Sequence, residues 1–138
     1  MAASTPRPRP RATLDSEPYW QSLRDGALQV QECSACGTRR LYPSPICRDC
    51  HSFEHRWVAV SGGGRVRSYC VTHRIGHPAF AELAPFVTVD VELEEGVRLS
   101  GMLLDAAPEA VAVGMPVRLD YAVVDAELTL PAFRPAPV

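Results

Sequence analysis

The sequence predicts a mainly β protein in which a short N-terminal helix and a small ribbon precede a five-stranded barrel. Two patterns support this prediction. Four cysteines form two Cys-x-x-Cys pairs separated by ten residues, and much of the second half alternates apolar and polar residues with a period of two. The 138 residues, 46% hydrophobic and 22% charged, suffice for one compact domain or two very small modules. Little room remains for separate cofactor and substrate domains.

The N-terminal region combines a Pro/Arg segment with a helix signal. Residues 1–14 are expected to form a disordered tail, because prolines alternate with arginines from Pro6 to Arg11 and leave little apolar surface to bury. A helix is predicted over residues 15–26, with Asp15 or Ser16 as its cap and Gly26 as its end. One face carries its large side chains: Tyr19, Trp20 and Leu23. Since so short a helix is marginal alone, this face is expected to pack on the ribbon.

The two cysteine pairs, Cys33-x-x-Cys36 and Cys47-x-x-Cys50, predict a metal site. Two residues between ligands let a tight turn aim both thiolates at one ion, and two such turns complete a tetrahedron. Zinc is the expected occupant, although iron in a rubredoxin-like site uses the same ligands and spacing alone leaves that alternative open. With strands expected at 27–32, 39–42 and 56–60, residues 27–61 are predicted to form a zinc ribbon whose folding depends on the metal.

The sequence shows neither a membrane span nor a secretory signal. No apolar run approaches the roughly 18 residues that a helix needs to cross a bilayer. A cytoplasmic location is therefore expected, where disulfides are improbable. His51 directly follows Cys50 and is expected to lie outside the ligand set. The unpaired Cys70, farther along the chain, is expected to be a small buried hydrophobic residue.

The remaining strands are predicted to form a Greek-key barrel of the OB type over residues 65–131, after a glycine hinge at 62–64. The strand pattern alone does not separate this barrel from another five-stranded barrel. The clearest element is a hairpin over 86–104, in which aliphatic residues alternate with polar ones on both sides of a Glu95-Gly96 turn. Gly101 is expected to mark a bulge or a bend. An earlier strand at 66–72 and a final pair at 117–124 and 127–130 complete the barrel, and residues 132–138 are expected to be a C-terminal tail.

Charge limits the functions that such a chain can perform. All fourteen cationic side chains are arginines, so Schiff-base lysine chemistry and a Walker-type phosphate loop are excluded. A barrel of the OB type raises single-stranded nucleic-acid binding as an alternative function. Residues 78–138, however, carry three arginines against ten acids, and so strong a negative charge opposes a polyanion. Nucleic acid is therefore an unlikely partner.

Several segments carry a resemblance to a known family: Pro18-Tyr19-Trp20, Tyr42-Pro43-Ser44-Pro45, Gly64 to Tyr69, Val91 to Leu99 and Leu130 to Pro135. With the two cysteine pairs between them, they resemble the acyl-CoA-associated proteins catalogued as domain of unknown function 35. Those proteins combine an N-terminal helix, a rubredoxin-like zinc ribbon and a C-terminal OB fold. The resemblance spans nearly the whole chain.

The resemblance implies an accessory subunit. Members of that family associate with thiolase-fold enzymes, among them steroid side-chain aldolases, acyltransferases and thiolase–synthase assemblies, or with hot-dog-fold enoyl-CoA hydratases. The partner usually supplies the catalytic residues. A chain similar to them is expected to hold structural zinc, to dock on a thiolase-fold enzyme, and to help position or channel a coenzyme A thioester. No nucleophile elbow or recognisable triad is present, so no catalytic residue is assigned and a non-catalytic or co-catalytic role is expected.

Five basic residues are candidates for contact with the coenzyme A thioester. They lie around the first barrel strand and the loop that follows it: Arg65, Arg67, His73, Arg74 and His77. Arginine suits bidentate contact with phosphate, and a few such residues suffice for one coenzyme. The loop from His73 to Pro85 is long for a hairpin connection, so it is the expected docking segment. Large side chains at expected edges are candidates for the docking surface: Tyr19, Trp20, Phe80, Phe86 and Phe133.

Overall fold

The computed structural model describes residues 5–137, which form a mainly β structure and confirm the predicted fold class. The elements are α1 (Glu17–Arg24), β1 (Gln29–Cys33), β2 (Arg39–Arg40), β3 (His55–Ala59), β4 (Gly63–Thr72), β5 (Phe86–Leu93), β6 (Arg98–Leu103), β7 (Pro116–Val123) and β8 (Thr129–Pro135). Two short 3-10 helices lie at Pro78–Leu83 and Pro108–Ala110. Strands β2-β1-β3 form one antiparallel sheet, and β4-β5-β6-β8-β7 close into a barrel.

The helix α1 is shorter than predicted, and it contacts both modules. Ser16 precedes its first turn, and Gly26 follows its end with a positive φ of 68°. Tyr19 and Leu23 are buried, and the helix packs against β1 of the ribbon and β8 of the barrel. The prediction that this face packs on the ribbon is therefore incomplete, because the helix also packs on the barrel.

One hydrophobic core joins the ribbon to the barrel. Leu28 and Val30 of the ribbon belong to the same buried cluster as Val66 and Phe133 of the barrel. The backbone N–H of Leu28 also donates to the Tyr121 hydroxyl oxygen on β7 at 2.9 Å. The two sheets are separate, but their side chains share one interior, so loss of the ribbon would expose part of the barrel core.

The predicted glycine hinge at 62–64 is wrong, because these glycines lie at the start of strand β4 and are held by hydrogen bonds. Gly63 and Gly64 belong to β4, the Gly62 carbonyl accepts from the Leu119 N–H at 2.7 Å, and the Gly63 carbonyl accepts from the Glu94 N–H at 3.0 Å. A Cβ built on Gly64 would lie 2.6 Å from the Glu92 carbonyl oxygen. These glycines serve a close approach of two strands, which a glycine run in a sequence does not distinguish from a flexible linker.

Replacing Gly64 with alanine is therefore expected to destabilise the protein by about 2–3 kcal/mol, because the added methyl group meets β5 backbone that cannot move aside. Gly76→Ala is the matched control, since nothing lies within 4 Å of a Cβ there. Urea unfolding of the two zinc-loaded variants measures the difference. Equal midpoints would show that the close approach at Gly64 is not a constraint.

The barrel hairpin follows the predicted alternation. Val87, Val89, Val91 and Leu93 are all at most 2% exposed, while the residues between them face outward. Of the two features expected at Gly101, a bulge or a bend, the bulge is wrong, since the β5–β6 register is continuous through that residue. Gly101 instead lets β8 approach, because a Cβ there would lie 2.8 Å from the Pro131 carbonyl oxygen.

The two chain ends differ from their predictions. Residues 132–135, expected to be tail, complete β8, and Phe133 is fully buried where it pairs with Leu103. Closing the barrel requires this strand, and its prolines disguise it in the sequence. Residues 5–14 have neither helix nor strand but contact the barrel through Arg7 and Arg9. Residues 1–4 and 138 of the predicted tails lie outside the described residues.

No helix within residues 5–137 is long and apolar enough to cross a membrane.

Candidate functional site

The four cysteines of the predicted metal site lie on two loops with the same backbone pattern. The Cys33 carbonyl accepts from the Gly37 N–H and the Cys47 carbonyl accepts from the His51 N–H, both at 2.9 Å. Gly37 and His51 each follow the second cysteine of a pair and each has a positive φ, of 78° and 62°. His51 is exposed and is not part of the cysteine cluster, in agreement with the prediction. Because this turn position requires a positive φ, a glycine is well suited to it, and the first loop has Gly37 there.

The four sulfur atoms lie close enough together to bind one metal ion. All four Sγ atoms lie within 4.8 Å of one another, with Cys33 to Cys50 at 3.5 Å and Cys36 to Cys47 at 3.6 Å. A zinc–sulfur bond of about 2.3 Å predicts sulfur–sulfur separations of about 3.8 Å in a tetrahedron. The cluster therefore fits a structural zinc ion that links the two loops.

The local backbone favours thiolates. The N–H of Cys36, followed by that of Ala35, lowers the pKa of the Cys33 thiol, and the N–H groups of Cys50 and Asp49 do the same for Cys47. The Thr38 hydroxyl and amide lower the pKa of Cys36. The Ser52 amide lowers that of Cys50, but the neighbouring sulfurs outweigh it and raise this pKa to about 12. A fourth negative sulfur beside three others requires a cation, which zinc supplies.

A buried polar network supports the segment that connects the two cysteine loops. Gln31 is fully buried, and its Oε1 accepts from Arg40 Nε at 2.7 Å and from the Ser44 N–H at 2.8 Å. Arg40 Nη2 also donates to the Ser44 carbonyl at 2.8 Å. Sequence analysis missed this network. The feature of the sequence that could have indicated it is Gln31, a polar residue at an inward-facing position of the strand that leads into the metal site.

Replacing Gln31 with leucine is expected to destabilise the zinc-loaded protein by about 2–4 kcal/mol, because the Ser44 N–H and the buried Arg40 guanidinium both lose an acceptor. Gln29→Leu, on the same strand and with no side-chain hydrogen bond among the described residues, is the control and is expected to change stability by less than about 0.5 kcal/mol. Calorimetric unfolding compares the two variants. Similar losses at both positions would contradict a specific role for Gln31.

The five predicted coenzyme contacts form two groups rather than one. Arg65 and Arg67 lie near the start of β4, whereas His73, Arg74 and His77 lie in the loop beyond its end. Thr72 lies seven positions after Arg65 along the strand, which corresponds to about 23 Å. The two groups are close in sequence, but the extended strand β4 separates them in space.

The first group lines a groove of about 470 Å³ on the outside of the barrel. Arg65 donates to the Gly114 carbonyl at 3.0 Å, and Arg67 pairs with Glu92 at 3.3 Å. Arg118 of β7 lines the same groove, and it makes no ion pair with any other residue in the described range. Sequence analysis missed Arg118 because only the pairing of β4 with β7 places it opposite Gly63 and in the same groove as Arg65.

The second group belongs to the loop over residues 73–85. His73 and Arg74 are exposed. His77 is half-buried, its Nδ1 accepts from the Ala79 N–H at 3.1 Å, and its ring meets that of Phe80 edge-on at 5.7 Å. His77 therefore stabilises the conformation of the loop, whereas the side chains of His73 and Arg74 are accessible to solvent.

The prediction that Cys70 is buried is wrong, since this residue is exposed. The cause is a register shift between Val66 and Ser68 in β4. Val66 faces the core, but after the shift Tyr69 and Val71 oppose the buried Val89 and Val87, so Cys70 faces outward. An added residue in a strand exchanges the two faces beyond it.

Family models match most of the chain. The rubredoxin-like zinc ribbon domain of ChsH2 matches residues 20–56, and the C-terminal OB-fold domain of ChsH2 matches residues 57–122. A DUF35 domain-containing scaffold protein of Methanocaldococcus jannaschii is 38% identical over 100 residues, which cover 71% of this chain and 70% of that protein.

Two further relatives are longer proteins. A probable enoyl-CoA hydratase alpha subunit of Thermomonospora curvata is 45% identical over 130 residues, which are 94% of this chain and 40% of that protein. A 3-oxo-4,17-pregnadiene-20-carboxyl-CoA hydratase alpha subunit of Mycobacterium tuberculosis is 39% identical over 113 residues, which are 82% of this chain and 35% of that protein. The chain thus spans well under half the length of either relative.

The fold also matches a solved structure. A chain of the structure described as the Ltp2-ChsH2(DUF35) aldolase is 43% identical, superposes with a TM-score of 0.86, and matches over 94% of this chain and 100% of its own length. The four-cysteine ribbon and the closed barrel thus agree with the two family models, and the fold as a whole agrees with a solved relative. The chain belongs to the ChsH2/DUF35 family of proteins that join a rubredoxin-like zinc ribbon to an OB fold.

Proposed function

We propose that this chain is a zinc-containing accessory subunit of an acyl-CoA-processing complex, which docks on a thiolase-fold enzyme and helps to position or channel the coenzyme A thioester. The observation that carries the proposal is its likeness, over 94% of its length, to a chain of the Ltp2-ChsH2(DUF35) aldolase. The names of two relatives as CoA hydratase alpha subunits support the acyl-CoA substrate class.

The loop over residues 73–85 is the proposed docking segment. It contains thirteen residues between two strands, carries exposed His73 and Arg74, and presents a half-buried Phe80. Long loops on a rigid scaffold commonly carry binding function. The closed barrel and the metal-linked ribbon provide that scaffold, and a stable heteromer would bury about 1,200 Å² or more around the loop.

The two basic groups divide the proposed contacts with the coenzyme. Arg65, Arg67 and Arg118 around the outer groove can offer bidentate donors to its phosphates. His73 and Arg74 lie at the start of the docking loop, where the thioester end would pass toward the partner enzyme. This chain thereby holds and orients the substrate, and the partner performs the chemistry.

Affinity purification of the tagged, zinc-loaded chain from its native cells tests this function. The expected result is a stoichiometric thiolase-fold partner whose acyl-CoA turnover requires this chain. Recovery of a hot-dog-fold enoyl-CoA hydratase instead would favour a second candidate function, accessory subunit of a hydratase, which the names of the two longer relatives support. Acyl-CoA turnover by the purified chain alone would overturn the accessory role. Tight binding of a single-stranded oligonucleotide at physiological salt would favour nucleic-acid binding.

A further inference from the structure

The segment that precedes α1 lies against the barrel. The guanidinium carbon of Arg7 is 5.4 Å from the centre of the Phe80 ring, and Arg9 forms an ion pair with Asp125. Between this segment and the barrel lies a cavity of about 370 Å³, lined from the barrel side by four residues: Ala79, Val124, Asp125 and Leu128. Residues 5–14 are here called the arm.

The arm contacts two loops that have a defined place in the fold. Phe80 belongs to the loop between the first and second barrel strands, and Asp125 belongs to the turn between the fourth and fifth. In OB folds these are the two loops that bind ligands. The arm therefore covers the part of the barrel where another molecule is expected to bind.

The chemistry of the arm suits a reversible contact. Alternating prolines hold the backbone extended, so little conformational freedom is lost when it lies on a surface. Its three arginines complement the acidic residues 78–138. The two attachments, an exposed ion pair and a cation–π contact, are each weak, so the arm can leave without disturbing the core.

We propose that the arm is a strap that closes across the loop over residues 73–85 and the β7–β8 turn, and that a docking protein displaces it. The displacement step rests on the proposed function, because the covered loop is the proposed docking segment. The closure itself is a property of the isolated chain. Regulation of docking by an adjacent segment follows, since any condition that detaches the strap exposes Phe80.

Hydrogen exchange of the zinc-loaded full chain tests the closure. The amides of Ala79 and Phe80 are bonded to His77. Ala79 lines the cavity beneath the strap and Arg7 contacts the Phe80 ring, so the exchange of these amides reports on the closure. Arg7→Ala and Arg9→Asp are expected to accelerate this exchange about 3- to 10-fold. Arg9→Lys, which keeps the positive charge, is expected to retain protection.

Arg11→Ala is the matched control, since Arg11 is an exposed arginine of the same arm with no ion pair among the described residues. Unchanged exchange in Arg7→Ala and Arg9→Asp, or equal acceleration by Arg11→Ala, would overturn the closure whether or not a partner exists. With the purified partner, the two detaching variants are expected to bind about 3- to 10-fold more tightly than the parent chain. Equal or weaker binding would overturn displacement while leaving the docking function intact.

Discussion

Replacing Cys47 with serine is expected to release the metal and to unfold the ribbon. Cys47 is fully buried, and its carbonyl and N–H both fix the second cysteine loop. A ribbon of about 35 residues cannot build a sufficient core alone, and structural zinc contributes on the order of 10 kcal/mol to folding in small zinc modules. That contribution is comparable to the whole stability of a typical domain. Because Leu28 and Val30 share the barrel core, the barrel is expected to lose stability as well.

Elemental analysis and circular dichroism on heating measure the two effects. The parent chain is expected to be colourless with one zinc per molecule, which distinguishes zinc from iron. Cys70→Ser is the matched control, because Cys70 is exposed and lies outside the cluster, and it is expected to keep both the zinc and the thermal midpoint. A Cys47→Ser protein with stoichiometric zinc and an unchanged midpoint would contradict the structural metal site.

Replacing residues 74–84 with a short Gly/Ser linker is expected to abolish both complex formation and acyl-CoA turnover by the complex. The replaced segment contains Arg74, His77 and Phe80, and none of its residues is buried in the core. The flanking strands β4 and β5 pair through Thr72 and Phe86, so the barrel is expected to remain closed. Loss of the interface, rather than loss of folding, is the expected cause.

Co-elution with the partner and turnover of the reconstituted complex measure this effect, and zinc content with thermal unfolding verifies the fold. The control is the same linker in place of residues 107–110, which form another largely exposed loop with its own 3-10 turn. That variant is expected to bind the partner normally. A chain with the shortened 74–84 segment that still binds with the parent affinity would locate the interface elsewhere.

Local spacing of residues was enough to predict several parts of this protein. Two residues between cysteines set the turn that aims both sulfurs of a pair at one point, so the ligand set of Cys33, Cys36, Cys47 and Cys50 follows from spacing. The alternation from Val87 to Leu93 likewise set the inner face of β5, since side chains of a strand point to opposite sides in turn. The helix face formed by Tyr19 and Leu23 follows from helical spacing in the same way.

Other features depend on which strands pair with each other, and local spacing does not predict them. The shift after Val66 turned Cys70 outward, although its local pattern matched that of a buried strand residue. Pairing of β4 with β7 placed Arg118 opposite Gly63 and in the same groove as Arg65, across more than fifty residues of sequence. The run Gly62 to Gly64 became a tight strand contact, and Phe133 became core. In each case the cause is a contact between residues distant in sequence, because local periodicity fixes a face only within one unbroken element and contains no information on its neighbours.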